Sequence, residues 1–253
     1  MSVERVLDEI GYLISEHDVR EIFDDSGTFP GGEWLYNFCD GMIERGYHKK
    51  IQISCNMRFD YFTDQELPKL MKKAGWRKVK SGLESANQDT LARIKKGTSV
   101  EQIVTGCRNA ANAGLEVHLT VMVGFPWETH ADTRRTVDLA RKLMAEGSVD
   151  MLQSTVVVPY PGTPLYTEAL SNCWLSCEPY EYEKFDMRGS VMKMPDMASE
   201  DVVKMCNFVY RSFLTPRFVA RQVTMNITDP IYLWRGAKAV IGHLLDFTSQ
   251  NCI

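Results

Sequence analysis

His118, Thr120 and Met122 alternate with Val117, Leu119, Val121 and Val123, and Gln52, Ser54, Asn56 and Arg58 alternate with Ile51, Ile53, Cys55 and Met57. Because successive side chains of a strand point to opposite faces, each run presents one apolar face and one largely polar one. Polar faces turned to a shared interior suit a ligand cavity better than a packed core, which puts Asn56, Arg58 and His118 forward as substrate-facing residues. His118 is also a candidate for proton transfer, since imidazole titrates nearest neutrality. Short apolar runs end in small, polar or proline-rich signatures, as in Val121-Met-Val-Gly-Phe-Pro-Trp-Glu-Thr129 and Val156-Val-Val-Pro-Tyr-Pro-Gly-Thr-Pro-Leu-Tyr166. In a β/α barrel, strand ends of this kind are where chemistry sits.

Five strands are needed to position these groups: Val19 to Phe23, Ile51 to Cys55, Lys78 to Leu83, Val117 to Val123 and Met151 to Val158. Lys80 occupies a place where a strand ordinarily carries an apolar residue. Helices fill the intervals. Val3, Val6, Leu7, Ile10, Leu13 and Ile14 share one helical face, and a second helix runs from Glu33 to Arg45. Thr63-Asp-Gln-Glu66 and Ser99-Val-Glu-Gln102 have the form of capping boxes, Asn87 is placed to cap a short helix to Lys96, and Gly114 ends the helix begun at Ser99. A further helix spans His130 to Ala145. Strands separated by helices of this length imply parallel βαβ units. Beyond residue 159 only helices are expected: Ser199 to Leu214, one opened by Thr215-Pro216, and an apolar one from Asp229-Pro230 to Phe247.

The chain of 253 residues, 44% apolar with a net charge of −4, is long enough to bury a full core. It has no Lys/Arg cluster that would mark a nucleic-acid partner. No apolar run is long enough for a membrane span, and the charged first ten residues do not read as a signal peptide. Seven irregularly spaced cysteines do not form a secreted disulfide framework, which points to a reduced cytoplasm.

Eight segments then carry a resemblance: Ser2-Val-Glu-Arg-Val-Leu-Asp-Glu-Ile10, Phe23-Asp-Asp-Ser-Gly-Thr-Phe29, Arg58-Phe-Asp60, Ala74-Gly75, Gly82-Leu-Glu-Ser85, Ile94-Lys-Lys-Gly97, Gly124-Phe-Pro-Trp-Glu-Thr129 and Pro159-Tyr-Pro-Gly-Thr-Pro-Leu-Tyr166. In order and spacing they resemble radical S-adenosylmethionine enzymes, above all the cobalamin-binding branch with its anaerobic Mg-protoporphyrin monomethyl ester cyclases and carbon methyltransferases. The likeness implies an α/β fold, an incomplete (β/α) TIM-like barrel of parallel strands lacking its first strand over residues 1–166, followed by a mainly helical region over 167–253. It implies S-adenosylmethionine, a [4Fe–4S] cluster and cobalamin as cofactors, and a 5′-deoxyadenosyl radical or methyl transfer as chemistry on a small organic substrate.

By the same resemblance, Asp24, Asp25 and Ser26 would bind the cofactor's amino group, and Glu84 with Ser85 its ribose or amino donors. Lys96 would hold its carboxylate, and Thr120 would make a polar ribose contact. Gly124, Phe125 and Pro126 would approach the adenine from one side, with Val158, Pro159 and Tyr160 forming its other wall. Gly31-Gly-Glu33 imitates the superfamily's amino-binding motif but falls at a helix start. The family's Cys-x-x-x-Cys-x-x-Cys loop and the cobalamin motif Asp-x-His-x-x-Gly are absent. Cys173-Trp-Leu-Ser-Cys177 has half of the cluster spacing, but Tyr180 stands where the third thiolate would be needed. The expectation is therefore a carboxyl-terminal part, inactive alone, that needs the cluster and cobalamin portion or a separate chain supplying it, and a reductant protein. Its uncovered edge at Val19 to Phe23 would expose unpaired backbone groups. The alternatives are a cluster-free nucleoside-binding or partner-binding relative and an unrelated barrel hydrolase.

Overall fold

Each expected strand is present in the computed structural model, which describes residues 1–187 and 189–212. The strands are β1 (Glu21–Asp24), β2 (Gln52–Asn56), β3 (Trp76–Glu84), β4 (Glu116–Val123) and β5 (Met151–Val156). All pairs are parallel and the sheet follows chain order, β1-β2-β3-β4-β5. Parallel neighbours require crossovers, and helices supply them. The helices are α1 (Val3–His17), α2 (Glu33–Glu44), α3 (Glu66–Lys73), α4 (Gln88–Arg93), α5 (Val100–Asn112), α6 (His130–Glu146), α7 (Pro164–Ser171) and α8 (Ser199–Ser212). This is the parallel α/β class expected of the sequence. Among the described residues the sheet is open, with β1 at one edge and β5 at the other.

Local chemistry explains where the boundaries moved. Asp18 ends α1 in a left-handed conformation and the Val19 amide still bonds back to the Leu13 carbonyl, so the first strand starts at Glu21 rather than Val19. The Ser99–Gln102 capping box forms as expected, but the Thr63–Glu66 box does not. Thr63 closes the 3-10 turn Phe59–Phe62 with helical dihedrals, whereas a capping residue needs extended backbone. Asp64 takes its place, its Oδ1 accepting from the amides of Glu66 (2.8 Å) and Leu67 (3.3 Å). Asn87 stands at the start of α4 with its side chain turned elsewhere. Helix α7, opened by Thr163 and Pro164, was not expected. The helices assigned to Thr215-Pro216 and to Asp229-Pro230 through Phe247, and the Leu214 end of the one before them, lie outside the described residues.

One face of the sheet is sealed by helices. Ile53, Cys55, Val79, Leu83, Val117, Leu119, Val121, Val123, Leu152 and Val156 are buried there with Leu7, Leu35, Phe38, Met42 and, from α8, Val202 and Val209. The alternate residues Lys78, Lys80, Gly82 and Glu84 of β3 and His118, Thr120 and Met122 of β4 are only half-buried on the opposite face. The lysine that looked out of place in a strand thus belongs to the open, polar side. Beyond the carboxyl ends of the strands, Phe125, Val157, Val158, Ala169, Phe185, Val191 and Met192 form a second apolar cluster. Among the described residues no helix is long and apolar enough to cross a membrane.

Candidate functional site

The open face of the sheet is layered. At the amino ends of the strands Arg77 bridges two carboxyl groups, its Nε 3.0 Å from Glu21 Oε1 and its Nη1 2.8 Å from Glu116 Oε2. Ser54 Oγ also donates to Glu21 (3.1 Å). Burial would raise the Glu21 carboxyl, but the Arg77 bond and charge outweigh it and hold that group below its ordinary value. This network closes the bottom, with the positive charge of Lys78 beside Glu21 matching the second carboxylate. One layer up, register aligns Asn56, Lys80 and His118; above them lie Gly82, Thr120 and Gln153.

A cavity of about 210 Å³ opens over these upper layers at the carboxyl ends of the strands, lined among others by Asn56, Lys80, Gly82, Glu84, Lys96 and Thr120. Glu84 is the last residue of β3 and adopts φ +59°, where the register with β4 slips past Gly82. That β-bulge re-aims its side chain across the cavity mouth, where Oε1 meets Lys96 Nζ at 2.6 Å. Lys96 arrives from the loop after α4, where its amide bonds to the Leu91 carbonyl. Arg58 locks that loop. Its guanidinium donates to the carbonyls of Lys96 (2.9 Å) and Gly97 (3.1 Å) while gripping Asp60 (2.7 Å), whose bond raises the Arg58 pKa. Arg58 therefore lines the cavity with its donors committed to the protein.

Deeper in, Lys80 Nζ donates to Gln153 Oε1 (3.1 Å) and Asn56 Nδ2 to Asp25 Oδ1 (3.2 Å). Burial, then the positive charges of Lys80 and Lys78, push the His118 imidazole down to about 4. At neutral pH His118 is uncharged, able to donate from one ring nitrogen and accept at the other.

The residues assigned from sequence fall into three groups. Asn56, Arg58, Glu84, Lys96 and Thr120 meet at the cavity, with His118 one layer below Thr120 on the same strand. Asp24, Asp25 and Ser26 stand at the same rim beside it: Asp24 Oδ1 accepts from the Ser26 amide (3.2 Å) and hydroxyl (2.5 Å), and only Asp25 reaches a lining residue, Asn56. Ser85 is fully buried away from the cavity. There its hydroxyl donates to Glu128 Oε1 (2.6 Å), which also accepts from Asn87 (3.0 Å) and Thr90 (2.7 Å). Gly124, Phe125 and Pro126 lie beside Val157, whose amide bonds to the Val123 carbonyl, and the Phe125 and Val158 side chains are packed in the second apolar cluster. Pro159 is buried and Tyr160 is exposed; none of these six lines the cavity. Gly31-Gly-Glu33 starts α2, with Gly32 at the cap.

Lys80 and Gly82 were missed as lining residues, although both share the strand parity of Glu84. Gly27 and Thr28, also lining, carried no signal beyond the small-residue loop after β1. The buried Glu128 network was missed as well, though Glu128 closes a quoted motif.

The described cysteines do not fit an iron–sulfur cluster. Cluster ligation needs several accessible thiolates, yet Cys39, Cys55, Cys107 and Cys206 are buried, and the more accessible Cys173 and Cys177 have no third ligand grouped with them. No three His, Cys, Asp or Glu side chains among the described residues are grouped to hold a metal ion. The cavity fits part of S-adenosylmethionine better. At about 210 Å³ it is smaller than the ~300–1,000 Å³ of sites that enclose a whole ligand. It has room for one end of such a molecule, and that end meets an acid and a base held side by side.

Comparison with known proteins gives the family and the fold's relatives. Residues 1–140 match the radical SAM superfamily. An uncharacterised methyltransferase of Pyrococcus horikoshii is 30% identical over 225 residues, covering 88% of this chain and 47% of that protein. The anaerobic magnesium-protoporphyrin IX monomethyl ester cyclase of Rubrivivax gelatinosus is 26% identical over 212 residues, covering 83% of this chain and 36% of that one. The chain thus spans about half or less of the length of these relatives. In fold it is similar to the radical S-adenosylmethionine methyltransferase TsrM from Kitasatospora setae, solved with cobalamin and a [4Fe–4S] cluster (TM-score 0.60, 17% identity, 85% of this chain and 39% of that one).

Proposed function

The chain belongs to the radical SAM superfamily, and from that premise we propose that it is the S-adenosylmethionine-binding part of an enzyme performing cobalamin-dependent methyl transfer or cyclase chemistry on a small organic substrate. The observation that carries the proposal is the Glu84–Lys96 pair across the cavity mouth. An α-amino acid end is a zwitterion, and it matches this pair group for group: ammonium to Glu84, carboxylate to Lys96. Inserting it exchanges one charge-assisted contact for two, with no charge left unmatched. Thr120 and Asn56 supply the neutral hydrogen-bonding groups that ribose hydroxyls need.

S-adenosylmethionine, when bound, supplies the transferable methyl and deoxyadenosyl groups. This chain's part is to bind it, orient it and keep water away. Arg58 fixes the loop bearing Lys96, and the Arg77 network closes the floor. Because the described residues do not fit a cluster, the cluster, the cobalamin and a reductant come from elsewhere in the assembly, and the isolated chain binds without turning over.

Titration calorimetry with S-adenosylhomocysteine tests the reading. Binding to the full chain, weakened at least tenfold in Glu84→Gln and in Lys96→Gln, is the expected result. Equal affinity in all three proteins would remove the assignment. Formation of 5′-deoxyadenosine by the anaerobically reconstituted chain alone would refute its incompleteness for catalysis.

A further inference from the structure

Among the described residues, Lys80 is an interior cation with no carboxylate partner. We infer that the space below the Glu84–Lys96 pair receives a carboxylate of the organic substrate, with Lys80 as its charge partner; the inference rests on the proposed cofactor site being above it. Lys80 lines the cavity, and its ammonium has one neutral partner, Gln153. No carboxyl group of the described residues pairs with it. Those nearby are directed elsewhere: Glu21 and Glu116 to Arg77 and Lys78, Glu84 to Lys96 and Asp60 to Arg58, while Asp25 is exposed at the rim, bonded to the Asn56 amide.

A partly buried ammonium loses hydration, and folded chains ordinarily match such a charge. The second lysine on this face belongs to the floor, where its charge acts on the Glu21 carboxyl. Lys78, one layer lower on the same strand face, has its Nζ 5.9 Å from the centre of the Phe23 ring. His118, aligned with Lys80 across β3 and β4, adds no negative charge. Among the described residues the interior therefore carries one unmatched cation, Lys80, between a balanced floor and a balanced mouth. A ligand that brings a single negative charge to this depth completes the site.

The donors select a carboxylate by their type. Lys80 offers a point charge and His118 a neutral ring. Among the described residues the guanidinium on the wall is that of Arg58, committed to Asp60 and two carbonyls, so the forked donor set that favours a phosphate is not on offer.

Fluorine NMR of trifluoroacetate provides the test, with S-adenosylhomocysteine saturating so that Lys96 is occupied, and trifluoroethanol as the uncharged control. Trifluoroacetate should broaden on adding the wild-type chain and trifluoroethanol should not. Lys80→Gln should weaken the effect at least tenfold and Lys80→Arg should retain it, while S-adenosylhomocysteine affinity stays within threefold in both. Undiminished trifluoroacetate binding by Lys80→Gln would overturn the inference. So would a loss of S-adenosylhomocysteine affinity in Lys80→Gln as large as in Glu84→Gln, because Lys80 would then belong to the cofactor. If S-adenosylhomocysteine fails to bind the wild-type chain, the proposed function falls instead. The trifluoroacetate titration then runs without it, with Lys96→Gln as control, and dependence on Lys80 rather than Lys96 still decides the anion site.

Discussion

The carboxyl group of Glu84 folds back over the α-carbon of Gly82, two residues earlier in the same strand, and a β-carbon placed on Gly82 would overlap it. The bulge that sends Glu84 across the cavity mouth therefore depends on a missing side chain below it. Sequence, backbone and charge placement meet at this point: a glycine permits the fold-back, the left-handed Glu84 aims it, and Lys96 receives it.

Gly82→Ala should accordingly disturb binding rather than folding. The obstacle is the far end of a flexible side chain, so the alanine displaces the Glu84 carboxyl and leaves the backbone in place. A charge-assisted contact contributes roughly 1.5–3 kcal/mol, so S-adenosylhomocysteine affinity should fall by about tenfold or more. The melting temperature should move by only a few degrees. Unchanged affinity in calorimetry would show that the Glu84 orientation is not used.

Much of this was legible in the sequence, and the failures have physical reasons. Alternation in β4 separated His118 and Thr120 from Val117, Leu119, Val121 and Val123 correctly, because a strand with one sealed face must alternate. Lys80 follows the same parity but contradicts strand preference, so pattern and propensity disagreed and the pattern was right. Ser85 was grouped with Glu84 because the two are adjacent. Alternation continues through the bulge and carries Ser85 to the sealed face with Ser81 and Leu83, while Gly82 inside the strand was the residue that signalled the bulge. Phe125 and Val158 are apolar residues at strand ends, equally suited to a ligand slot or to a core. Their packing is decided by Phe185, Val191 and Met192, far along the chain.

Glu128→Ala should be destabilising. Glu128 Oε1 accepts from Ser85, Asn87 and Thr90, all buried, and ties the start of α4 to the loop before α6. Truncation strands the buried Thr90 hydroxyl and removes one bond each from Ser85, which keeps Thr136, and Asn87, which keeps Ser85 and the Asp132 carbonyl; this should cost about 1–3 kcal/mol. Urea unfolding at pH 7 measures this, and Ser85→Ala combined with Glu128→Ala should add little further, since the two share one network. A loss under about 1 kcal/mol would show the network to be incidental.

Alkylation should distinguish the cysteines by burial. Cys39, Cys55 and Cys107 are fully buried with raised thiol values, while Cys173 is exposed and Cys177 half-exposed. Reaction requires thiolate and access. Iodoacetamide on the native chain should therefore label Cys173 and Cys177 well before those three, as read by peptide mass spectrometry. Early labelling of Cys55, which receives the Trp76 Nε1 hydrogen at 3.4 Å, would mean that β2 and β3 open readily.

His118 should make the chain lose stability between pH 6.5 and pH 4. Its ordinary value of 6.5 is lowered to about 4 in the folded chain, first by burial and then by Lys80 and Lys78. Throughout that interval the unfolded chain binds a proton that the folded chain refuses. Stability from neutral His118 is thus fully present above the unfolded value and is lost as the pH falls toward the folded one. The side chain keeps some contact with water, so the loss from pH 7 to pH 5 should be about 1–2 kcal/mol. Glu21, with a folded value below its ordinary 4.5, contributes its own loss mainly from 4.5 downward, below the pH 7 to pH 5 comparison. Urea midpoints at the two pH values should differ less in His118→Gln than in the wild type. Lys80→Gln should also narrow the difference, because it removes one of the charges that keep the imidazole neutral. Identical pH dependence in wild type and His118→Gln would place His118 in water and away from both lysines.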